Sequence, residues 1–137
     1  MKCYEQLNYH DPENGIWGDC GRTAIGCLIE KPPEDIPHFW DRDNKQGNIE
    51  CQKWLRKQGY EYVYFAVKAE TLQDALDIFG CCNRYIYYLL VGESKNGCNH
   101  VVVCKGRDII HDPGINKPGI TGPCNDGYYW IELVVKQ

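Results

Sequence analysis

The apolar positions change period partway along the chain. From Asp19 onward they fall at Cys20, Ala24, Cys27 and Leu28, with Ile25 flanking, a spacing of three and four that predicts a helix. Asp19 is a favourable N-cap residue, which makes Cys20 the first helical residue. The proline pair in "EKPPED" stops the helix, and "PEDIPHFW" reads as a turn. A second helix is predicted over 47–57, carrying Ile49, Trp54 and Leu55 and ending at Gly59. Beyond residue 60 the texture is that of strands: "YEYVYFAVK" (60–68), "RYIYYLLVG" (84–92) and "YYWIELVV" (128–135) are rich in aromatic and β-branched residues. "HVVVCKG" and "DIIHDP" form a hairpin with Gly106 in its turn. A short third helix, "ETLQDALDIFG" (70–80), places Leu72, Ala75, Leu76 and Phe79 on one face. Residues 1–18 open with a short candidate strand, followed by the turn signal "HDPENG". "GINKPGITGPCNDG" (114–127) is a Gly/Pro-rich loop long enough to be functional.

Helices first and hairpin-linked strands later predict an α+β fold, with the N-terminal helix that carries the cysteine packed on a mostly antiparallel sheet. The 137 residues suffice for one domain with a real core and are too few for two, so 1–137 is taken as a single domain. The formal charge is −4, and the densest basic cluster, Lys53, Arg56 and Lys57, fits one solvated helix face. Nucleic-acid binding needs many cations to displace phosphate counterions and is not expected. No apolar run approaches the roughly 20 residues that span a bilayer. The polar start "MKCYEQLNYHDPENG" does not read as a signal peptide. The expectation is a soluble, cytoplasmic protein with neither membrane nor nucleic acid as partner.

Nine cysteines change the picture more. An odd number without a secretion signal argues against a disulfide framework. Cys81, Cys82, Cys98, His100 and Cys104 lie close in sequence, but no C-x-x-C pair occurs, so no metal is assigned. Most of the thiols are read as small core residues.

Cys20 is the exception. At a helix N-terminus the backbone N–H groups lack partners and the dipole is positive, a setting that stabilises a thiolate. Gly18 and Gly21 keep bulk away on both sides. His100 leads the otherwise apolar "VVVC", a costly placement for an imidazole without a polar partner. It lies six positions before Gly106 and Asp112 six after, so a regular hairpin sets Asp112 opposite His100 and turns His111 to the other face. A carboxylate there fixes the imidazole tautomer and stabilises its charged form. His38 in "PHF" is read as a loop residue packing under Trp40.

The ordered set "WGDCGRTAIGCL", "IPHFW", "NHVVVCKG" and "IIHDPG" resembles the papain-like cysteine peptidases. It is most similar to the bacteriocin-leader-processing peptidase domains and to small uncharacterised bacterial and phage relatives. The resemblance implies a papain-like fold and a cysteine hydrolase, a peptidase, amidase or isopeptidase, working through a thioester acyl-enzyme without a cofactor. It makes Cys20 the nucleophile, His100 the general base and Asp112 the residue that orients it. The family's oxyanion donor is a Gln ahead of the cysteine, here Gln6, with Asn14 as the alternative; Trp17, Gly18, Asp19 and Asn99 are the expected substrate-binding neighbours. A peptide or protein substrate follows. An acyltransferase or transpeptidase on the same fold, or a catalytically silent phage or bacterial binding protein, are the alternatives.

Overall fold

A computed structural model describes residues 1–42 and 45–137. Its elements are α1 (Cys20–Ile29), α2 (Gly47–Lys57), β1 (Tyr60–Val67), α3 (Leu72–Gly80), β2 (Tyr87–Glu93), β3 (Asn99–Lys105), β4 (Asp108–His111) and β5 (Tyr129–Lys136). Single 3-10 turns form at Pro12–Asn14 and Pro33–Asp35. The five strands make one sheet in the order β1-β5-β2-β3-β4, every neighbouring pair antiparallel. The α+β expectation holds. Among the described residues no helix is long and apolar enough to cross a membrane.

Helices cover both faces of the sheet. On one face, Ala24, Ile25 and Cys27 of α1 and Cys51 and Leu55 of α2 pack with Tyr62, Leu89, Val101 and Val103. On the other, Ala75 and Leu76 of α3 pack with Val67, Tyr88, Leu90, Val102, Cys104 and Ile131. The central strands β2 and β3 therefore lose their solvent face, which is why "LLV" and "VVVC" run continuously apolar instead of alternating. α3 sits so close that a Cβ on Gly80 would lie 2.1 Å from the Gly106 carbonyl oxygen in the β3–β4 turn.

Three local expectations are corrected. The N-terminal segment is not a strand. Its backbone is held by single bonds to other elements, Lys2 N–H to the Cys27 carbonyl (3.0 Å) and Gln6 N–H to the Pro113 carbonyl (2.8 Å), with no strand beside it to form a ladder. The strand placed at 84–92 begins only at Tyr87, because the chain leaving α3 first turns: Ile86 N–H bonds the Asn83 carbonyl, and Asn83 reaches back to the Phe79 carbonyl (2.7 Å). Asp19 occupies the N-cap position of α1, but its side chain makes no cap hydrogen bond.

Candidate active site

Cys20, the first residue of α1, and His100, the second residue of β3, line one cleft of about 1220 Å³. His100 is 4% exposed. Its Nε2–H donates to Asp112 Oδ1 at 2.6 Å, and Cys20 is near enough to act on the ring. With Nε2 committed to Asp112, Nδ1 is the nitrogen left for the thiol. Burial is the largest single influence on the ring and disfavours its charge. The Asp112 hydrogen bond and charge, with the influence of Cys20, outweigh it and hold the His100 pKa up at about 9.

Asp112 is held from three sides. Oδ1 also accepts from the Gly114 N–H (2.8 Å) and Oδ2 from the Gly119 N–H (2.8 Å). Burial pushes this carboxyl up, but His100 and the two amides prevail and leave it below the usual carboxylate range. The donors belong to the 114–127 loop, which also lends Ile115, Pro118, Cys124, Asn125 and Asp126 to the cleft wall.

The pairing that brings His100 and Asp112 together differs from the hairpin count. Lys105 pairs with Asp108 and Cys104 with Ile109, but Val103 pairs with His111: Ile110 is an extra residue, a β-bulge. Without it, the same count would set Asp112 beside Val101 and on Val101's face. The bulge restores Asp112 to the alternation that His100 follows, as a diagonal neighbour and not a directly opposite one. His111, turned to the other face by the alternation, is half-buried and donates from Nε2 to the Tyr4 carbonyl at 2.7 Å, pinning the N-terminal segment.

That segment carries Gln6, which lines the cleft with Cys20. One N–H of its amide donates to the Asn8 carbonyl, leaving the second for a ligand. Asn14 is exposed, donates to Asp11 Oδ2 (2.6 Å) and does not line the cleft, so Gln6 is the better placed donor. Trp17, Gly18 and Asn99 line the cleft as expected.

Asp19 does not. Fully buried, it accepts from the Leu7 N–H (3.2 Å), the Asn8 N–H (2.8 Å) and Arg22 Nε (3.0 Å), while Arg22 also donates to the Ile36 carbonyl. Its carboxylate ties the Gln6 segment to the start of α1, so it is a positioning residue and not a substrate contact. The flanking glycines make room for rings: a Cβ on Gly18 would lie 2.9 Å from His10 Cβ, and one on Gly21 would lie 2.9 Å from Trp40 Cζ3. The Nε2–H of His38 donates to the Trp17 carbonyl (3.0 Å), whereas Trp40 donates to Asn48 Oδ1 (3.0 Å).

Of the thiols, Cys81 and Cys82 are neighbours, Sγ to Sγ 3.6 Å. Cys27, Cys51, Cys104 and Cys124 are buried, Cys3, Cys81 and Cys82 are exposed, and all nine are free. Among the described residues no group of three or more His, Cys, Asp or Glu is placed to share a metal ion.

Sequence reasoning missed His10, whose Nδ1 accepts the Gly18 N–H (3.0 Å) while its ring meets Trp17, and it missed Glu132, Trp130 and Tyr64 on the cleft floor. Glu132 carried a legible signal: a carboxylate inside "YWIELVV" is as costly as the imidazole ahead of "VVVC". The chain matches no protein-family model, no curated protein and no solved structure.

Proposed function

We propose that the protein is a cysteine hydrolase of papain-like design that cleaves an amide bond, in a peptide or isopeptide, through a Cys20 thioester. The observation that carries this is the buried His100–Asp112 pair at 2.6 Å, with the Cys20 thiol against the ring at a helix N-terminus. A buried imidazole kept charged at neutral pH is wasteful for packing and apt for a thiolate–imidazolium couple. In the proposed cycle the Cys20 sulfur attacks the carbonyl carbon. The backbone N–H of Cys20 and the free N–H of Gln6 receive the oxyanion. His100 then protonates the departing amine, and the same ring takes a proton from the water that resolves the thioester. Asp112 keeps the imidazole oriented throughout. The order helix-borne Cys, strand-borne His and then Asp also supports the papain-like assignment.

The test is site-resolved alkylation. Wild type and His100→Ala are treated with iodoacetamide at neutral pH, and each of the nine cysteines is followed by mass spectrometry. Cys20 is expected to react faster than the exposed Cys3, Cys81 and Cys82, although it is itself half-buried, and to lose that lead in His100→Ala. A Cys20 no faster than Cys3, or one indifferent to His100, overturns the couple and the hydrolase with it.

A further inference from the structure

The cleft floor carries a second chemistry away from the triad. Glu132 sits in β5 between Ile131 and Leu133 and is 9% exposed. Tyr62 donates its hydroxyl to Oε2. Oε1 has no hydrogen-bond partner among the described residues, yet it is not shut off from solvent, since His38 Nδ1 is the sole fully buried side-chain nitrogen or oxygen among them left unpaired. Glu132 lines the cleft, so Oε1 opens there. Tyr64 is its direct partner on β1, and Trp130 lies two residues earlier on the same face of β5; their rings are 6.2 Å apart and tilted by 49°. Trp130 Nε1 donates to Asp126 Oδ2 at 2.8 Å. Tyr64, Trp130 and Asp126 also line the cleft.

Two carboxylates and two aromatic faces thus meet with no cation among them. No described Lys, Arg or His forms an ion pair with Glu132 or Asp126, and Arg42, which also lines the cleft, is engaged with Asp41 and Glu50. A buried carboxylate without a counter-charge is costly, and packing alone would be served as well by an apolar or amide side chain. Aromatic faces beside carboxylates are the surroundings that attract a cation. The free valence selects its kind. Tyr62 already takes one lone pair of Oε2, so a two-pronged guanidinium grip must share that oxygen with it, whereas an ammonium needs only Oε1.

We propose that Glu132, Trp130, Tyr64 and Asp126 form a subsite for a primary ammonium group, the end of a lysine-like side chain of the substrate. The identification rests on the cleft being the substrate site of the proposed hydrolase. β5 stands two strands from β3, about 10 Å across the sheet, and Glu132 lies three residues along from the level of His100, about 10 Å more, so the ammonium belongs to a substrate residue further along the cleft than the one cleaved at Cys20. Burial pushes the Glu132 carboxyl up to about 7, against the lowering effect of the Tyr62 hydrogen bond. The groups that face it, Tyr62 and Tyr64 from β1, Cys51 from α2 and Cys124 and Asp126 from the loop before β5, bring no positive charge. Ammonium binding therefore strengthens as pH rises through about 7 and Glu132 ionises.

The experiment uses the full chain carrying Cys20→Ala, labelled with ¹⁵N and titrated with Nα-acetyl-lysine amide or its neutral match Nα-acetyl-norleucine amide, on the acid and alkaline sides of pH 7. The lysine compound is expected to shift the Trp130 indole resonance and to bind about tenfold or more tighter than norleucine on the alkaline side, a gap of about 1.4 kcal/mol. The gap should shrink on the acid side and vanish in Glu132→Gln. Equal binding of the two compounds, no saturable binding of either, an undiminished gap in Glu132→Gln, or tighter binding of Nα-acetyl-arginine amide overturns the subsite. The two-ligand comparison needs no Glu132 variant, so a misfolded variant does not shield the proposal. Cys20→Ala makes the outcome independent of turnover. Lysine selectivity with an unreactive Cys20 in wild type would remove the hydrolase and keep the subsite; a reactive Cys20 without selectivity would do the converse.

Discussion

An imidazole at the head of a valine-rich strand keeps its charge only through its neighbours, and that dependence makes Asp112 the sharpest single-residue test. Asp112→Asn retains an oxygen for the His100 Nε2–H and removes the negative charge. The His100 pKa is expected to fall from about 9 toward the ordinary 6.5, read from the pH titration of its ring proton by NMR. On the proposed mechanism, kcat should fall by roughly 10²–10⁴-fold. The sign of the stability linkage follows from the same shifts. His100 is raised on folding, so its contribution is complete below its unfolded value of about 6.5 and is lost as pH rises through about 9. Asp112 is lowered, so its contribution is present above its unfolded value and is lost as acid protonates the folded carboxyl. Cys20, His100 and Asp112 were legible in the sequence because each is locally conspicuous. Asp19 was misread because capping preference is a local rule. Two amides twelve and eleven residues upstream, Leu7 and Asn8, compete for its oxygens and win.

At the scale of elements, the β3–β4 hairpin and the loop after it do the positioning. The Ile110 bulge sets which face Asp112 follows, and the tight turn at Gly114 then closes the loop back on it. A Cβ on Gly114 would lie 2.5 Å from Pro118 Cδ, 2.8 Å from His100 Cε1 and 2.9 Å from Asp112 Oδ1. Gly114→Ala should therefore displace the pair. A loss of about 1–3 kcal/mol in stability is expected by denaturant unfolding, with a drop of up to about 10²-fold in turnover from misplacement alone. Gly122→Ala, in the same loop with nothing within 4 Å, should leave both unchanged and serves as the control. The sequence placed both strands of this hairpin. It did not disclose the bulge, because one inserted residue in "DIIHDP" leaves the apolar pattern intact. The hairpin count had the alternation of Asp112 right and its pairing wrong.

Across the whole molecule, the helices on the two faces of the sheet leave open the cleft between the start of α1 and the strands β5 and β1, and Glu132 lines it. The cost of burying this carboxyl is a property of the folded state as a whole. Its folded pKa of about 7 stands above the ordinary 4.5, so its contribution to stability is complete below pH 4.5 and is lost as pH rises to about 7. The loss amounts to roughly 3 kcal/mol. Glu132→Gln should abolish that slope, so that the difference in unfolding free energy between variant and wild type grows from pH 4.5 to 7 and then levels, as followed by urea unfolding across the range. Local pattern along the chain was enough for the helices, the five strands apart from the start of β2, the α+β class and the three residues of the proposed triad. Those signals depend on neighbours within a turn or a pair of strands: apolar period, proline stops, a thiol where a helix begins, a polar ring ahead of valines. The bulged register, the anchoring of the N-terminal segment by Asp19, Cys27 and His111, and the joining of Tyr64, Trp130 and Glu132 into one cleft floor came only with the fold. Each is a contact between residues distant in sequence, whose energy no local window of the chain contains.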